Sequence, residues 1–301
     1  MSFRDKIKDL YLRSTQYKWT VGVAEYDESV ILSKDRKLKI HWIKDRHKGS
    51  WFADPFILSV SDDYVFILVE EVMYDTGKGR ISKLTVDRHD WRLLKIEPLL
   101  SISTHLSFPN FYRKNGRVYI FPESTSSGRL TLYEYDEDSG SIREVNTLCD
   151  SPVADAVLFN HNGKDVILGT TSPEDNGRVL DVYSLPDAVT GESSIVQKIS
   201  FPTRVARNAG RVFTIDGKNY RPAQDCSKAY GECVVIQEME NVDGTLTFNE
   251  VRRFYSHCFN HWVAFHTFNV YENQYIAVDA EGFRSGLFGW AVSKVRNWFK
   301  K

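Results

Sequence analysis

The sequence predicts an all-β fold, a five-bladed β-propeller with short N- and C-terminal helices. Three observations point there. A strand–turn–strand pattern occurs five times, its turns recur at intervals of about 50 residues, and a further strand-like stretch follows most of the hairpins. A β-sandwich with incidental hairpins is the competing architecture, and it leaves the regular interval without a cause.

The five copies read, in order, "ADPFILSVSDDYVFILVEE", "SFPNFYRKNGRVYIFPES", "ADAVLFNHNGKDVILGTT", "RNAGRVFTIDGKNYRPAQD" and "HTFNVYENQYIAVDAE". Their turns centre near Asp63, Gly116, Gly163, Gly217 and Asn273. Asn-Gly or Asp-Gly stands at three of these turns, and a type I′ hairpin turn needs positive φ at both central residues. The third strands are "GRISKLTVD", "GRLTLYEYD", "GRVLDVYSL" and "GECVVIQEM"; the Gly-Arg opening of three of them supports true repetition. At the mouth of the first copy, "WFADPFIL" sets an acid and a proline into an apolar run. A carboxylate without a partner is costly there and proline cannot donate to a ladder, so the pair marks a strand start or a site. The propeller is expected over 19–283, preceded by an amphipathic segment at 1–18 and followed by a basic amphipathic helix at 284–301.

The composition is that of a soluble globular chain: hydrophobic 42%, charged 26%, net charge −1 over 301 residues. Near-neutral charge gives no reason to expect nucleic acid as a partner. The 18 Phe, 15 Tyr and 7 Trp suit strands and sugar-stacking surfaces. "MSFRDKIKDL" lacks the apolar core of a signal peptide, and no apolar run is long enough to span a bilayer. Cys149, Cys226, Cys233 and Cys258 show no CxxC spacing and read as reduced thiols of a cytoplasmic protein. Neither a metal nor an organic cofactor is expected.

Propeller blades aim their innermost strands at one axis, so equivalent positions converge. Before or at those strands stand Asp54, Ser107, Asp155, Arg207 with Asn208, and His266. Seven residues after each of the first four turns come Glu70, Glu123, Thr170 and Gln224, with Asp279 near the fifth equivalent. Core strands should carry apolar residues there; a ring of polar groups points to a pocket.

"WFADPFI", "HLSFPNFY", "YIFPES", "ARNAGRVF", "RPAQDCSKAYG" and "HTFN" resemble the N-terminal propeller-type domain of plant glucosamine inositolphosphorylceramide transferase and its stand-alone bacterial relatives in surface polysaccharide assembly. The likeness runs from about Trp19 to Asp279. More distantly the layout is similar to the five-bladed furanosidase superfamily, the glycoside hydrolase 43-like enzymes. That resemblance implies a general-base Asp in "ADP", matched by Asp54, and a pKa-tuning Asp on a middle blade, matched by Asp155. It also implies an acidic "EGP"-like element, and here the chain departs: Arg207-Asn208-Ala209-Gly210 stands instead.

Hydrolysis of an ordinary glycoside needs a positioned acid beside a second carboxylate. A sugar on phosphate leaves as an anion and is helped by a cation. Arg207 and Arg221 are therefore expected to clamp a phosphate, with Asp54 as the base that deprotonates an acceptor hydroxyl. Asp155, Glu123 and His266 would hold sugar hydroxyls, with Glu70, His105, Ser107, Asn208, Gln224, Asp225 and Asp279 completing the binding set. Each also has a structural alternative: Asp54 as a turn cap or partner of Arg207, the arginines as internal ion pairs, Asp225 as an orienter of Arg221, the histidines as satisfied core residues.

The resulting expectation is a cytoplasmic glycosyltransferase-like enzyme, taking a phosphate-activated sugar donor and a glycan or glycolipid acceptor. Two alternatives stay open: a furanosidase-type hydrolase with Glu123 or Glu70 as acid, and a non-catalytic carbohydrate-binding propeller. The plant relatives carry this domain beside a separate transferase domain, which favours the last. At the C-terminus, apolar residues of "GLFGWAVSKVRNWFKK" fall largely at helical spacing among lysines and arginines. Such a helix lies on the inner face of the plasma membrane or closes the propeller base.

Overall fold

The structure, a computed structural model, describes residues 16–283 apart from 34, 162, 172–176, 192 and 257–262, together with residue 291. The terminal helices expected within 1–18 and 284–301 fall almost wholly outside the described residues.

The first elements are β1 (Tyr17–Glu25), the short helix α1 (Glu28–Leu32) and β2 (Ile40–Trp42). Asp27 caps α1 by accepting the Ser29 N–H at 2.9 Å, and Val30 and Ile31 turn inward. Four complete blades follow. They are β3 (Ser50–Val60) to β6 (Leu93–Leu100) through β4 (Tyr64–Met73) and β5 (Gly79–Asp87); then β7 (Phe111–Lys114) to β10 (Ile142–Cys149) through β8 (Arg117–Ile120) and β9 (Leu130–Tyr135). The third is β11 (Val153–His161), β12 (Lys164–Thr171), β13 (Val179–Leu185) and β14 (Ser194–Ser200); the fourth is β15 (Phe213–Ile215), β16 (Lys218–Asp225), β17 (Cys233–Val242) and β18 (Thr245–Phe254). Each is an antiparallel four-stranded sheet in chain order. The fifth sheet combines the two ends of the chain in the order β19 (Phe268–Tyr271), β20 (Tyr275–Phe283), β1, β2. Nine register pairs from Tyr17↔Phe283 to Glu25↔Tyr275 zip β1 onto β20. The five-bladed, all-β propeller is therefore the fold.

The turn chemistry is as the sequence dictates. Asn115 and Gly116 (φ 52 and 74°) and Asp216 and Gly217 (φ 48 and 77°) are both left-handed pairs. Glu272 and Asn273 adopt the same geometry without a glycine (φ 47 and 51°).

Alternate residues of each strand serve opposite neighbours. On β4, Val65, Ile67 and Val69 join an apolar cluster with Val21, Val23 and Ala277 of the fifth blade, whereas Leu68 joins Val118 and Ile120 of the second. On β12, Ile167 packs with Leu130 and Leu132, and Val166 and Leu168 with Met239 and Leu246. One large cluster fills each gap between adjacent blades, which is why the inner strands read as near-continuous apolar runs. At Gly22 any side chain would meet Ile40 Cγ2 at 2.5 Å and the Trp42 ring at 2.9 Å, so the glycine lets β2 lie close on β1.

Hydrogen bonds between blades show the inner strands converging. Asn110 Nδ2 donates to Ala156 O, Asn208 Nδ2 to Asp155 O, and Asn269 Nδ2 to Pro55 O. Arg211 reaches from blade four to Asn110 Oδ1 and Phe111 O of blade two.

Candidate functional site

The Asp-Pro pair sits in a bulge. Pairing of β3 with β4 shifts between Ala53↔Glu70 and Phe56↔Leu68, and Asp54 is left-handed (φ 49°). Its N–H therefore leaves the ladder and donates to Asp279 Oδ2 at 2.8 Å, while Pro55 has no N–H to lose. Asp155 repeats the geometry on β11 (φ 48°, shift between Ala154 and Val157), with its N–H on Glu123 Oε2 at 2.9 Å. A left-handed conformation costs a non-glycine residue about 1 to 2 kcal/mol. Here it aims two aspartates at the axis.

Around Asp54 lies the first of two clusters. Its Oδ2 accepts the Phe108 N–H at 3.0 Å and its Oδ1 the Thr267 hydroxyl at 3.2 Å. His266 Nε2 is 3.8 Å from Asp54 Oδ1, and its Nδ1 is 2.8 Å from Asp279 Oδ1. The imidazole is clasped by rings, stacked on Trp19 at 3.8 Å and edge-on to Tyr230 at 5.6 Å. Burial alone lowers the basicity of His266, but the carboxylates of Asp279 and Asp54 outweigh it and push its pKa up to about 9. Burial raises the Asp54 carboxyl well above the usual range; the His266 cation opposes this, and Glu70, Asp279 and Asp155 add to it.

Around Asp155 lies the second. Arg207 Nε donates to Asp155 Oδ2 at 2.5 Å, and its Nη2 is 3.5 Å from Glu123 Oε2. The guanidinium also lies over the Tyr230 ring at 5.4 Å. Gln224 Nε2 donates to Asp155 Oδ2 at 3.2 Å and to Asn208 O at 2.9 Å. Burial and the Asp155 charge raise the Glu123 pKa to about 7, with Arg207 opposing. Burial works against the Arg207 cation, and Asp155, Tyr230 and Glu123 more than compensate, so it stays charged.

Glu70 Oε1 accepts from His105 Nε2 at 2.7 Å, in the tautomer fixed by the Gly79 N–H donating to His105 Nδ1 at 3.0 Å. Ser107 exchanges backbone bonds with Glu123, which holds that glutamate at the strand mouth.

Two expected site residues are placed elsewhere. Arg221 is fully buried; its Nε donates to Asn208 Oδ1 at 2.6 Å and its Nη1 to Gln237 Oε1 at 2.6 Å, with further bonds to Val205 O and Ala206 O. Every nitrogen of its guanidinium is used inside blade four, so the two-arginine clamp reduces to Arg207. Asp225 pairs with Arg253 and the Ser227 N–H instead of orienting Arg221. Asp279 holds the fifth place equivalent to Glu70 and Glu123. Asn110 and Asn269 hold like places, and Glu123 follows the pair Phe111↔Ile120 by three residues just as Asp279 follows Val270↔Ile276; Glu281, bridged to Ala264, lies two residues further out. Trp19, Tyr230, Thr267 and Glu281 were missed, although all four lie in stretches that the sequence singled out.

Asp54, His266 and Asp279 offer three ligand atoms within 4.8 Å of one another. Asp279 already accepts from the Asp54 and Thr267 N–H groups, the Thr267 hydroxyl and His266, so a cation would have to displace those donors.

The family model described as glucosamine inositolphosphorylceramide transferase 1, N-terminal, matches residues 41–269. The Arabidopsis thaliana glucosamine inositolphosphorylceramide transferase 1 is 30% identical over 200 residues, covering 64% of this chain and 26% of the relative. The Oryza sativa subsp. indica protein of the same name is 28% identical over 206 residues, covering 65% and 27%. The chain thus spans about a quarter of the length of these curated relatives. Among solved structures, a GH43_1 enzyme from Xanthomonas citri superposes with TM-score 0.53 at 10% identity, covering 77% of this chain and 87% of that one. The Phanerochaete chrysosporium exo-β-1,3-galactanase gives 0.54 at 9% identity, covering 71% and 53%. At such identities these share the fold. The family match extends over most of the propeller, and the chain belongs to the glucosamine inositolphosphorylceramide transferase 1 N-terminal family.

Proposed function

We propose that this propeller is a glycosyltransferase-like domain that moves a sugar from a phosphate-activated donor to a glycan or glycolipid acceptor in cell-surface glycan assembly. The supporting observation is Arg207. It stands where the furanosidase pattern expects an acid, and its Nη1 has no protein acceptor among the described residues while Nε and Nη2 face Asp155 and Glu123. A guanidinium has five donors, so the fork can hold its carboxylates and still meet an anion.

In this reading the Asp54 carboxylate takes the proton of the acceptor hydroxyl. The acceptor oxygen bonds to the anomeric carbon as the bond from that carbon to the phosphate oxygen breaks, and the electron pair leaves on phosphate beside Arg207. The phosphate needs no proton, which accounts for an arginine in place of an acid. We place the activity in the cytoplasm or at the inner membrane face; no described helix is long and apolar enough to cross a membrane.

The second reading is a glycoside hydrolase. It is favoured by Glu123, which burial and Asp155 hold near neutrality, where a general acid works best.

Ligand-induced thermal stabilisation separates the two. Nucleotide sugars, sugar 1-phosphates and neutral oligosaccharides are tested on wild type, Arg207→Lys and Asp54→Asn. A ligand at one hundred times its Kd adds roughly 2.7 kcal/mol of stability. Stabilisation by a phosphorylated sugar that shrinks in Arg207→Lys supports transfer. Stabilisation by neutral glycans alone, indifferent to Arg207, overturns it in favour of hydrolysis or binding.

A further inference from the structure

Away from the axis, a cavity of about 350 Å³ lies between the outer edges of blades four and five. Its apolar wall includes Trp42 of β2, Phe254 of β18 and Phe265. The latter two are buried members of the cluster joining those blades, so the cavity opens directly onto core. Gly22 lets Trp42 settle there, since any side chain at that position would strike its ring.

Arg252 lines the same cavity. It is 8% exposed, lies over the Phe254 ring at 4.7 Å, and donates through Nη2 to Arg36 O. Its Nη1 is buried with no hydrogen-bond partner among the described residues. Burying a charged donor without an acceptor is costly, and native structures seldom leave one so without a reason. Burial disfavours the Arg252 charge and lowers its pKa, and Asp35 offsets only part of this. The neighbouring Arg253 is spent on Asp225 and Glu250, and Arg36 faces Asp27 at 3.5 Å. Lys37, exposed on the rim, makes no ion pair among the described residues.

From the orphaned guanidinium nitrogen beside an aromatic and aliphatic wall, we infer that this cavity binds an organic phosphate, the oxyanion meeting Arg252 and Lys37 and an apolar or ring-shaped body lying on Trp42 and Phe265. The volume is that of a small-molecule site. A charged head on an apolar body is the chemistry that satisfies both halves of the lining. The site is separate from the axial carboxylates and does not depend on the transferase reading.

The experiment is calorimetric titration of the full chain with inorganic phosphate, phenyl phosphate, hexyl phosphate and hexanoate. Phenyl or hexyl phosphate is expected to bind at least tenfold more tightly than inorganic phosphate or hexanoate. Arg252→Gln and Trp42→Ala should each weaken that binding at least tenfold, and Asp54→Asn should leave it unchanged. Because a substitution at buried Arg252 risks the fold, Lys37→Gln on the exposed rim is the companion variant, with a loss of at least threefold. Equal binding of inorganic and organic phosphates, hexanoate binding as tightly as hexyl phosphate, or affinity untouched by Arg252→Gln and Lys37→Gln overturns the inference. So does failure of all four probes at 10 mM, about the weakest affinity that still counts as a site (roughly 3 kcal/mol).

Discussion

Replacing Glu123 with Gln tests whether the axial ring stores protons. Glu123 has an ordinary pKa of 4.5 and is raised to about 7 in the folded protein by burial and Asp155. The folded state thus binds a proton more tightly than the unfolded chain, so this group's stabilising effect is complete below pH 4.5 and declines as pH rises toward 7. At about 1.4 kcal/mol per unit, the decline is on the order of 3 kcal/mol. That is a large part of the roughly 5 to 15 kcal/mol that holds a domain folded. Glutamine has the shape of the protonated acid, can still accept the Asp155 N–H and does not titrate. Urea unfolding from pH 4 to 8 should show wild type losing stability across the 4.5–7 window and Glu123→Gln losing markedly less. At pH 8 the variant should be the more stable protein, even though it gives up the contact with Arg207. Parallel profiles for the two proteins, or a variant that is weaker at pH 8, would show that the Arg207 pair outweighs burial and that the ring prefers its carboxylates ionised.

His266 gives the companion result in a higher window. Its folded pKa of about 9 exceeds its ordinary 6.5, so its contribution is full below pH 6.5 and is lost as pH rises through 9; His266→Gln should remove that slope in the same unfolding series. Arg221→Met leaves the acceptors of Asn208, Gln237, Val205 and Ala206 unmet in a buried place, and a loss of about 3 kcal/mol is expected by thermal unfolding. Sugar binding corrected for that instability should be unchanged, and a selective loss of binding would return Arg221 to the site.

The hairpins were legible because their information is local. Asn115-Gly116 and Asp216-Gly217 announce positive φ in two letters, and repetition does the rest. Closure of the fifth blade was not legible: "YKWTVGVAE" meets "YIAVDAEGF" across the whole chain, and no short-range pattern encodes such a partner. The site was half legible for a related reason. Asp54, Glu123, Asp155 and His266 converge because they hold equivalent places at strand mouths. Arg207 and Arg221 are alike as letters, yet one stands at the mouth of blade four and the other lies inside it, against Gln237 of the neighbouring strand. That difference is one of depth along the sheet. Tyr230 escaped notice because a tyrosine before a glycine reads as a loop residue, whereas its ring bridges Arg207 and His266.

The pairing of β1 with β20 also orders events in time. Ribosomes add about 5 to 20 residues per second, and blades one to four each consist of consecutive strands that can pair as soon as they emerge. The strand from Tyr17 to Glu25 is made first yet finds its partner last, because Phe283 must clear the exit tunnel before the ladder can form. Until then β1, with only the short β2 beside it, is an apolar strand with one open edge, the kind of segment that recruits chaperones or pairs with a neighbour's copy. The circle is thus a late, all-or-none latch, and the axial carboxylates, drawn from the first three blades and the closing one, come together only when it shuts.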